Sequence, residues 1–376
     1  MLKYIAKRLV YAVLVLLGVS LIMYFLVRLM PVDFIQSKID QMNQGGAVVE
    51  LDTQIAMYDT YGLEYPDKLI NDKINDLRQK GMEDEIPEWE AKLGGDTFWG
   101  KTKNLFKGYF NWLGKLCKLD LGISFKYQIP VEEKIAMHMG TSFAVAFIAT
   151  IFEFMIAIPL GITAATHQYS LRDYLVTVLV MVGISLPSFF FGNILKNVLA
   201  LEPREWFRSM GWDIDWLYAS GLTDATKTDM NFLEQLWDYF LHVFVPILTI
   251  VILSVGGRMR MTRTNMLEVM NSDYIRTARA KGLKEKVVVY KHAFRNTLIP
   301  LVTSMAGLLP SLFSGAIITE QVFDLPGIGN YALQAMNVGD IPFIMGYNMF
   351  LALLSVLGVI LADLAYGLVD PRVKLQ

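Results

Sequence analysis

Six apolar runs dominate this chain of 376 residues: 9–27, 141–165, 174–199, 239–257, 298–319 and 343–368. A bilayer's hydrocarbon layer takes about 20 helical residues to cross, and each run has that length or close to it. The spacing therefore predicts a bundle of six membrane helices. A hydrophobic fraction of 54% and a mean hydropathy of +0.39 agree with several spans rather than a soluble globule. Lys3, Lys7 and Arg8 precede the first run. That run is longer than the apolar core of a signal peptide, and no small-residue cleavage site precedes Pro31. The expectation is an uncleaved first helix with its N-terminus inside and Arg28 snorkelling at the far end.

The charges are segregated, which makes the total of −2 uninformative. Residues 31–139 hold 18 acids and 13 bases, and residues 201–239 hold eight acids and three bases. From Arg258 to Arg295 there are ten Lys/Arg against three acids, a net of +7 without His292. Short loops rich in Lys and Arg stay on the cytoplasmic side. The expected topology has 258–296 inside with both termini, the 166–173 turn and the tail 370–376, and places 31–139 and 201–239 outside. Trp and Tyr near 212–218 and 237–239 suit the membrane interface.

Within the basic segment, 268–300 reads EVMNSDYIRTARAKGLKEKVVVYKHAFRNTLIP. Gly282 divides it into two helices. The first, 273–281, has Ser272/Asp273 as N-cap and Gly282 as the C′ residue. Tyr274, Ala278 and Lys281 then share one face, with small Ala280 beside it. A short helix with small residues on its exposed side can be gripped closely by another protein.

Chemistry-bearing patterns are sparse. Cys117 is the single cysteine, so no internal disulfide and no cysteine-based zinc site is expected. The four histidines, 138, 167, 242 and 292, have no metal-ligand spacing, and the first three read as interfacial. No nucleophile and base are arranged for catalysis, and one short basic loop between membrane helices does not suit nucleic acid. Gly95 to Thr102 matches G-x-x-x-x-G-K-[ST] letter for letter, but PEWEAKLG before it is no buried strand and the segment is expected outside, away from ATP. Glu153 lies mid-way along the second run, where an ionisable group must face protein or water. It is a candidate for the substrate path, against the plainer reading of an inter-helix hydrogen bond. Asp363 is expected to cap or pair locally, Pro187 to kink the third span, and the span glycines to permit close packing. In the outer block, Ile70, Ile74, Leu77 and Trp89 interrupt charged runs in the manner of amphipathic helix.

The run DYIRTARAKG, with Ala278 and Gly282 four apart, resembles the EAA loop of bacterial ABC-importer permeases. With HAFRNTLIPLVT after it, the wording is most similar to the oligopeptide/dipeptide branch, including Arg276 and Thr277 where the general loop has Glu and Ala. Three further stretches add to the likeness: the opening MLKYIAKRLVYAVLVLLGVSLIMYFLVRLMPVD, TEQVFDLPGIGNYALQAMNVGDIP (319–342) and ADLAYGLVDPRVKL (362–375). YGLEYP (61–66) and LDLGIS (119–124) resemble family landmarks that normally sit closer together, so 67–110 reads as an insertion.

The resemblance implies an all-α polytopic membrane protein with six transmembrane helices and a type I ABC-importer permease fold. It divides into the N-terminal helix 1–30, the extracytoplasmic insertion 31–139, and a five-helix core 140–376 carrying the cytoplasmic coupling loop 258–296. It implies a permease subunit of an ATP-driven peptide importer in the bacterial cell membrane, coupled to ATPases through 268–300. Asp273, Tyr274, Ala278, Arg279, Ala280, Lys281 and Gly282 would make that coupling. The expected partners are a second homologous permease, two ATP-binding subunits and an extracellular peptide-binding lipoprotein. The chain itself would be no enzyme and hold no cofactor, with ATP and magnesium on the ATPases. The same permease type with another cargo, such as a nickel chelate or a modified peptide, stays open, as does a secondary transporter or channel without an ATPase.

Overall fold

A computed structural model describes residues 2–28, 39, 50–61, 65–93, 98–212, 214, 216–224, 226–227, 230–304 and 307–369. Gly95, residues 62–64 of the first family landmark and the tail 370–376 lie outside them. Among the described residues the chain is helical almost throughout, and a lone bridge between Ile123 and Pro130 is the only extended pairing. The helices are α1 (Leu2–Arg28), α2 (Leu51–Tyr61), α3 (Asp67–Lys80), α4 (Ile86–Glu90), α5 (Phe98–Leu116), α6 (Val131–Thr166) and α7 (Leu171–Ser185). There follow α8 (Ser188–Ser209), α9 (Phe232–Met270), α10 (Asp273–Ala280) and α11 (Glu285–Ser304). The last are α12 (Leu308–Ser314), α13 (Ile317–Val322), α14 (Ile328–Asn337) and α15 (Ile341–Val369).

Four helices are long and apolar enough to cross a membrane: α1, α6, α9 and α15. Two bent pairs raise the number to six if each is one span: α7 with α8, bent by 103°, and α11 with α12–α13, bent by 51°. Two expectations need correction here. The third apolar run is not one kinked helix but two helices, and the fifth is likewise interrupted. The cause in the third is local. Pro187 lacks an N–H and pushes Leu186 to an extended ψ of 134°, so α7 ends there and Pro187 becomes the N-cap position of α8. The fourth run is also longer than its apolar stretch. α9 has 39 residues and carries the first turns of the basic segment, Arg258 to Glu268, as continuous helix.

The chain forms two compact units. One comprises Met1–Ala12, Ala136–Leu333 and Leu351–Gln376; the other comprises Val13–Ile135 and Gln334–Phe350. In the first, close helix packing depends on small residues as expected. A Cβ at Gly161 would meet the Thr262 side chain at 2.6 Å, and one at Gly183 the Ile252 carbonyl at 2.8 Å. His242 is buried, bonds through Nδ1 to the Asp238 carbonyl at 2.8 Å and stacks on Tyr218 at 3.9 Å. Asp363 pairs with Arg8 of α1 at 3.0 Å, a partner distant in sequence rather than the local one expected.

In the second unit, α2, α3 and α4 close around Ile55, Tyr58, Ile70, Ile74, Leu77, Trp89 and Phe125. The helical spacing of Ile70, Ile74 and Leu77 puts all three on the buried face of α3, as the sequence led us to expect. Gly81 ends α3 at φ +72°, its N–H bonded to Arg78. Asp340 caps α15 through the Phe343 N–H and also accepts from Ser124 Oγ and the N–H groups of Phe125 and Lys126. The described residues that precede the phosphate-loop look-alike form α4 and a turn rather than the strand such a loop follows.

Candidate coupling site

The polar segment 258–296 is a packed element and not a free loop. α10 lies in a cluster formed by Ile162 and Ala165 of α6, Met266 of α9, and Val288, Val289 and Ala293 of α11. Its two contributions are Ile275, fully buried, and Ala278, 8% exposed. The i,i+3 spacing of these apolar residues makes one stripe on a helix that is otherwise polar. Ala278 is therefore turned into the permease, and the expectation that it lies on the outward face is corrected. The small side chain is needed because α10 sits close to α9 and α11. The outward side carries Asp273, Tyr274, Arg276, Thr277, Arg279, Ala280 and Lys281, all exposed.

Both ends of α10 are set by local chemistry. Ser272 occupies the N-cap position with φ −75° and ψ 152°, but its hydroxyl bonds back to the Val269 carbonyl at 2.5 Å and makes no side-chain cap. Gly282 has φ +76°, the left-handed conformation expected, and its N–H reaches the Arg279 carbonyl at 2.9 Å. A Cβ there would touch nothing, so the demand for glycine is purely conformational. Arg279 then spans the turn to Glu285 with two bonds, Nε at 3.2 Å and Nη2 at 2.8 Å. The pair puts a cation at the C-terminal end of α10 and an anion in the first turn of α11, which both helix dipoles favour. Thr297 adds a tie between α11 and α9, donating to Met266 Sδ at 3.2 Å.

Two cations of the basic segment turn out to be structural. Arg258 Nε donates to Glu153 Oε1 at 2.9 Å, and its Nη1 reaches Ser304 Oγ at 3.2 Å. Glu153, itself buried, thus has a half-buried partner that links α6 to α9 and α11, the inter-helix hydrogen bond of its plainer reading. Arg263 grips Asp173 with two bonds, at 3.0 and 2.9 Å, tying the start of α7 to α9. Asp173 also accepts from the Tyr169 N–H at 3.1 Å, and its own N–H bonds to Ser170 Oγ. Sequence reasoning missed Asp173, Arg258 and Arg263. The capping signature Ser170-x-x-Asp173 was the one available signal, and it marks a helix start, not an ion pair.

At the other end of this unit, Glu320 is buried where α6, α13 and α14 meet. Ser142 Oγ donates to its Oε1 at 2.7 Å and the Asn330 N–H to its Oε2 at 2.9 Å. Ser142 in turn accepts from the Ile328 N–H at 2.8 Å. A side chain at Gly327 or Gly329 would collide with this carboxyl group, which explains the glycines of the LPGIGN stretch, and one at Gly315 would collide with it too. Among the described residues no group of His, Cys, Asp and Glu could hold a metal ion.

The comparisons with known proteins bear on the same segments. Residues 157–375, which include every helix from α7 to α15 and so the whole 258–296 segment, match the family of binding-protein-dependent transport system inner membrane components. The chain belongs to this family. It is 35% identical over 267 residues to the oligopeptide transport system permease protein AppB of Bacillus subtilis, covering 71% of this chain and 79% of that one. The dipeptide transport system permease protein DppB of Escherichia coli is 32% identical over 297 residues, 77% and 86% of the two chains. DppB of Alkalihalophilus pseudofirmus aligns at 29% identity along the full length of both, polar block included. A solved chain of the MetNI methionine ABC transporter, in inward-facing conformation, superposes with a TM-score of 0.47 at 17% identity over 63% of this chain and 96% of that one. The family and the apolar helices make this a multi-pass inner membrane protein, a transport permease and not an enzyme.

Proposed function

We propose that this chain is the permease subunit of an ATP-driven peptide importer, forming half of the translocation pathway beside a second, related permease. The observation that carries this is the seating of α10. It is a short helix with a polar outward face, fixed to three other helices by Ile275, Ala278 and the Arg279–Glu285 bridge. A body of that kind transmits displacement without absorbing it. Pushed by an ATPase, it moves α6, α9 and α11 together, and the bundle alternates its opening between the two sides. The peptide cargo is proposed from the names of the relatives, AppB and DppB, as oligopeptide and dipeptide permease proteins. ATP and magnesium belong to the ATPase partners, and delivery to an outer binding protein. The test is to co-express the chain with candidate ATPases, a second permease and a binding protein from the same organism and purify the assembly. Peptide-stimulated ATP hydrolysis and uptake are expected together. Uptake driven by an ion gradient with no ATPase retained would replace this reading by a secondary transporter.

The proposed topology puts Lys284 inside, on the evidence of the +7 segment. In a Cys117→Ser background, Lys284→Cys in intact cells should resist a membrane-impermeant maleimide and react after permeabilisation. Full labelling from outside would invert the orientation.

For docking of the binding protein we propose the acidic surface at Glu83, Asp84 and Glu85, all exposed at the head of α4. Opposite charge steers encounter and is screened by salt. Changing the three to Gln should lower the association rate about tenfold at low ionic strength and little at high salt. An unchanged rate at low salt would exclude this surface.

A further inference from the structure

Helix α5 has no place in the transport reading, and its chemistry is unlike that of its neighbours in the second unit. It has 19 residues and no acid, while Lys101, Lys103, Lys107 and Lys115 lie within it and Lys118 just beyond. Four lysines exclude it as a span. Its aromatic residues are too numerous for an ordinary solvated helix. One part of its apolar arc is buried against α1: Tyr109 packs on Tyr24 with rings 5.6 Å apart, and Trp112 on Tyr24 at 5.8 Å. Ser20 Oγ and the Tyr109 hydroxyl are hydrogen-bonded at 3.0 Å, and Ile344 and Met345 of α15 close the same cluster. The other part of the arc stays open among the described residues: Phe110 is 64% exposed, and Phe106, edge-on to Phe25 at 5.4 Å, is still 44% exposed. By helical register, positions 103 and 107 stand next to 106 and 110.

The depth of the contact on α1 says what covers them. The membrane-crossing part of α1 ends at Leu26. Ser20 lies six residues earlier, about 9 Å below that end at 1.5 Å per residue. A helix that packs on Ser20, Tyr24 and Phe25 is held at the boundary between acyl chains and headgroups. There an apolar arc faces hydrocarbon and flanking lysines reach phosphate, the arrangement of an interfacial helix. We infer that α5 lies in the surface of the bilayer, its Phe106–Phe110 side among the acyl chains and its lysines on anionic phospholipid headgroups, and so pins the polar second unit to the membrane. Continuity with the spanning helix and the unopposed positive charge both favour lipid over a protein partner.

The test uses the full chain in phosphatidylglycerol-containing vesicles. The sequence has one cysteine, so Cys117→Ser leaves a background for single labels. An environment-sensitive fluorophore at Phe110→Cys is compared with one at Asn111→Cys, the next position around the helix, which is also exposed. The label at 110 should be quenched by phospholipids brominated near the glycerol and be several-fold less accessible to aqueous iodide than the label at 111. The native Cys117, exposed and with its N–H still bonded to the Leu113 carbonyl at 3.0 Å, should give the lipid signal with no substitution at all. Replacing phosphatidylglycerol by phosphatidylcholine, or Lys107 and Lys115 by Gln, should weaken the quenching at 110. Equal iodide access at 110, 111 and 117 would overturn the inference. So would protection at 110 that appears only when a partner protein is added, which would assign the surface to that protein.

Discussion

Replacing Ala278 by aspartate is expected to abolish uptake and release the ATPases, while the subunit still inserts in the membrane. Ala278 is 8% exposed and sits among Ile275, Met266, Val288 and Ala293. A carboxylate there has no prepared cation, because the nearest arginine of the helix, Arg279, is already held by Glu285 with two bonds. Burial of an unpaired charge costs several kcal/mol, more than an eight-residue helix gains from its two apolar anchors. α10 would therefore leave its seat, and its outward face would lose its fixed position relative to α9. Gly282→Val should act the same way more mildly, since the left-handed backbone at φ +76° costs a branched residue about 1 kcal/mol or more. The contact with the ATPase itself is tested on the other face. Tyr274→Ala and Lys281→Glu leave Ile275 and Ala278 in place, so a loss of ATPase retention there reports the docking surface and not the seat. Retention, stimulated hydrolysis and uptake are measured on one purified assembly. If Ala278→Asp keeps both ATPases with normal stimulated hydrolysis, α10 is not the coupling element.

The apolar runs, the helix stop at Gly282 and the buried stripe of α3 were readable because each rests on a local rule. Length measures membrane thickness, a left-handed turn demands glycine, and helical spacing aligns Ile70, Ile74 and Leu77. What stayed hidden depends on partners distant in sequence. The outward assignment of Ala278 followed from its being small, yet smallness serves close packing inside a protein as well as outside it. The +7 count treated Arg258 and Arg263 as loop cations. Their ion pairs with Glu153 and Asp173 join residues 105 and 90 positions apart, and no period in the sequence reports that. Hydropathy alone also ended the fourth span at 257. Helix α9 continues to Met270 because Met259, Thr262 and Met266 still find burial beyond the apolar run. The proline at 187 was seen, but whether it kinks or breaks a helix is decided by the residues that receive the second half.

Glu320→Ala is expected to destabilise the permease by about 3 kcal/mol or more. The carboxyl group is 2% exposed and holds three elements at once: Ser142 on α6, its own helix α13, and the start of α14 at Asn330. Truncation orphans the Asn330 N–H and the Ser142 hydroxyl proton, and each buried unsatisfied group costs about 1–3 kcal/mol. It also empties the space that Gly315 and Gly327 leave for this side chain, and a cavity beside two glycines has no side chain to relax into it. Glu320→Gln should fall between. Its carbonyl can still take the Asn330 N–H, which leaves its amide facing Ser142 Oγ. That oxygen already accepts from Ile328, so its own proton is left without the acceptor it had. Ser142→Ala should be milder than Glu320→Ala, because the carboxyl group keeps Asn330. Thermal unfolding of the purified assembly and protease resistance of the 315–333 connection should follow this order, with uptake falling alongside. Wild-type stability in Glu320→Ala would mean that the junction of α6, α13 and α14 is held by apolar packing alone and that the glycines serve some other end.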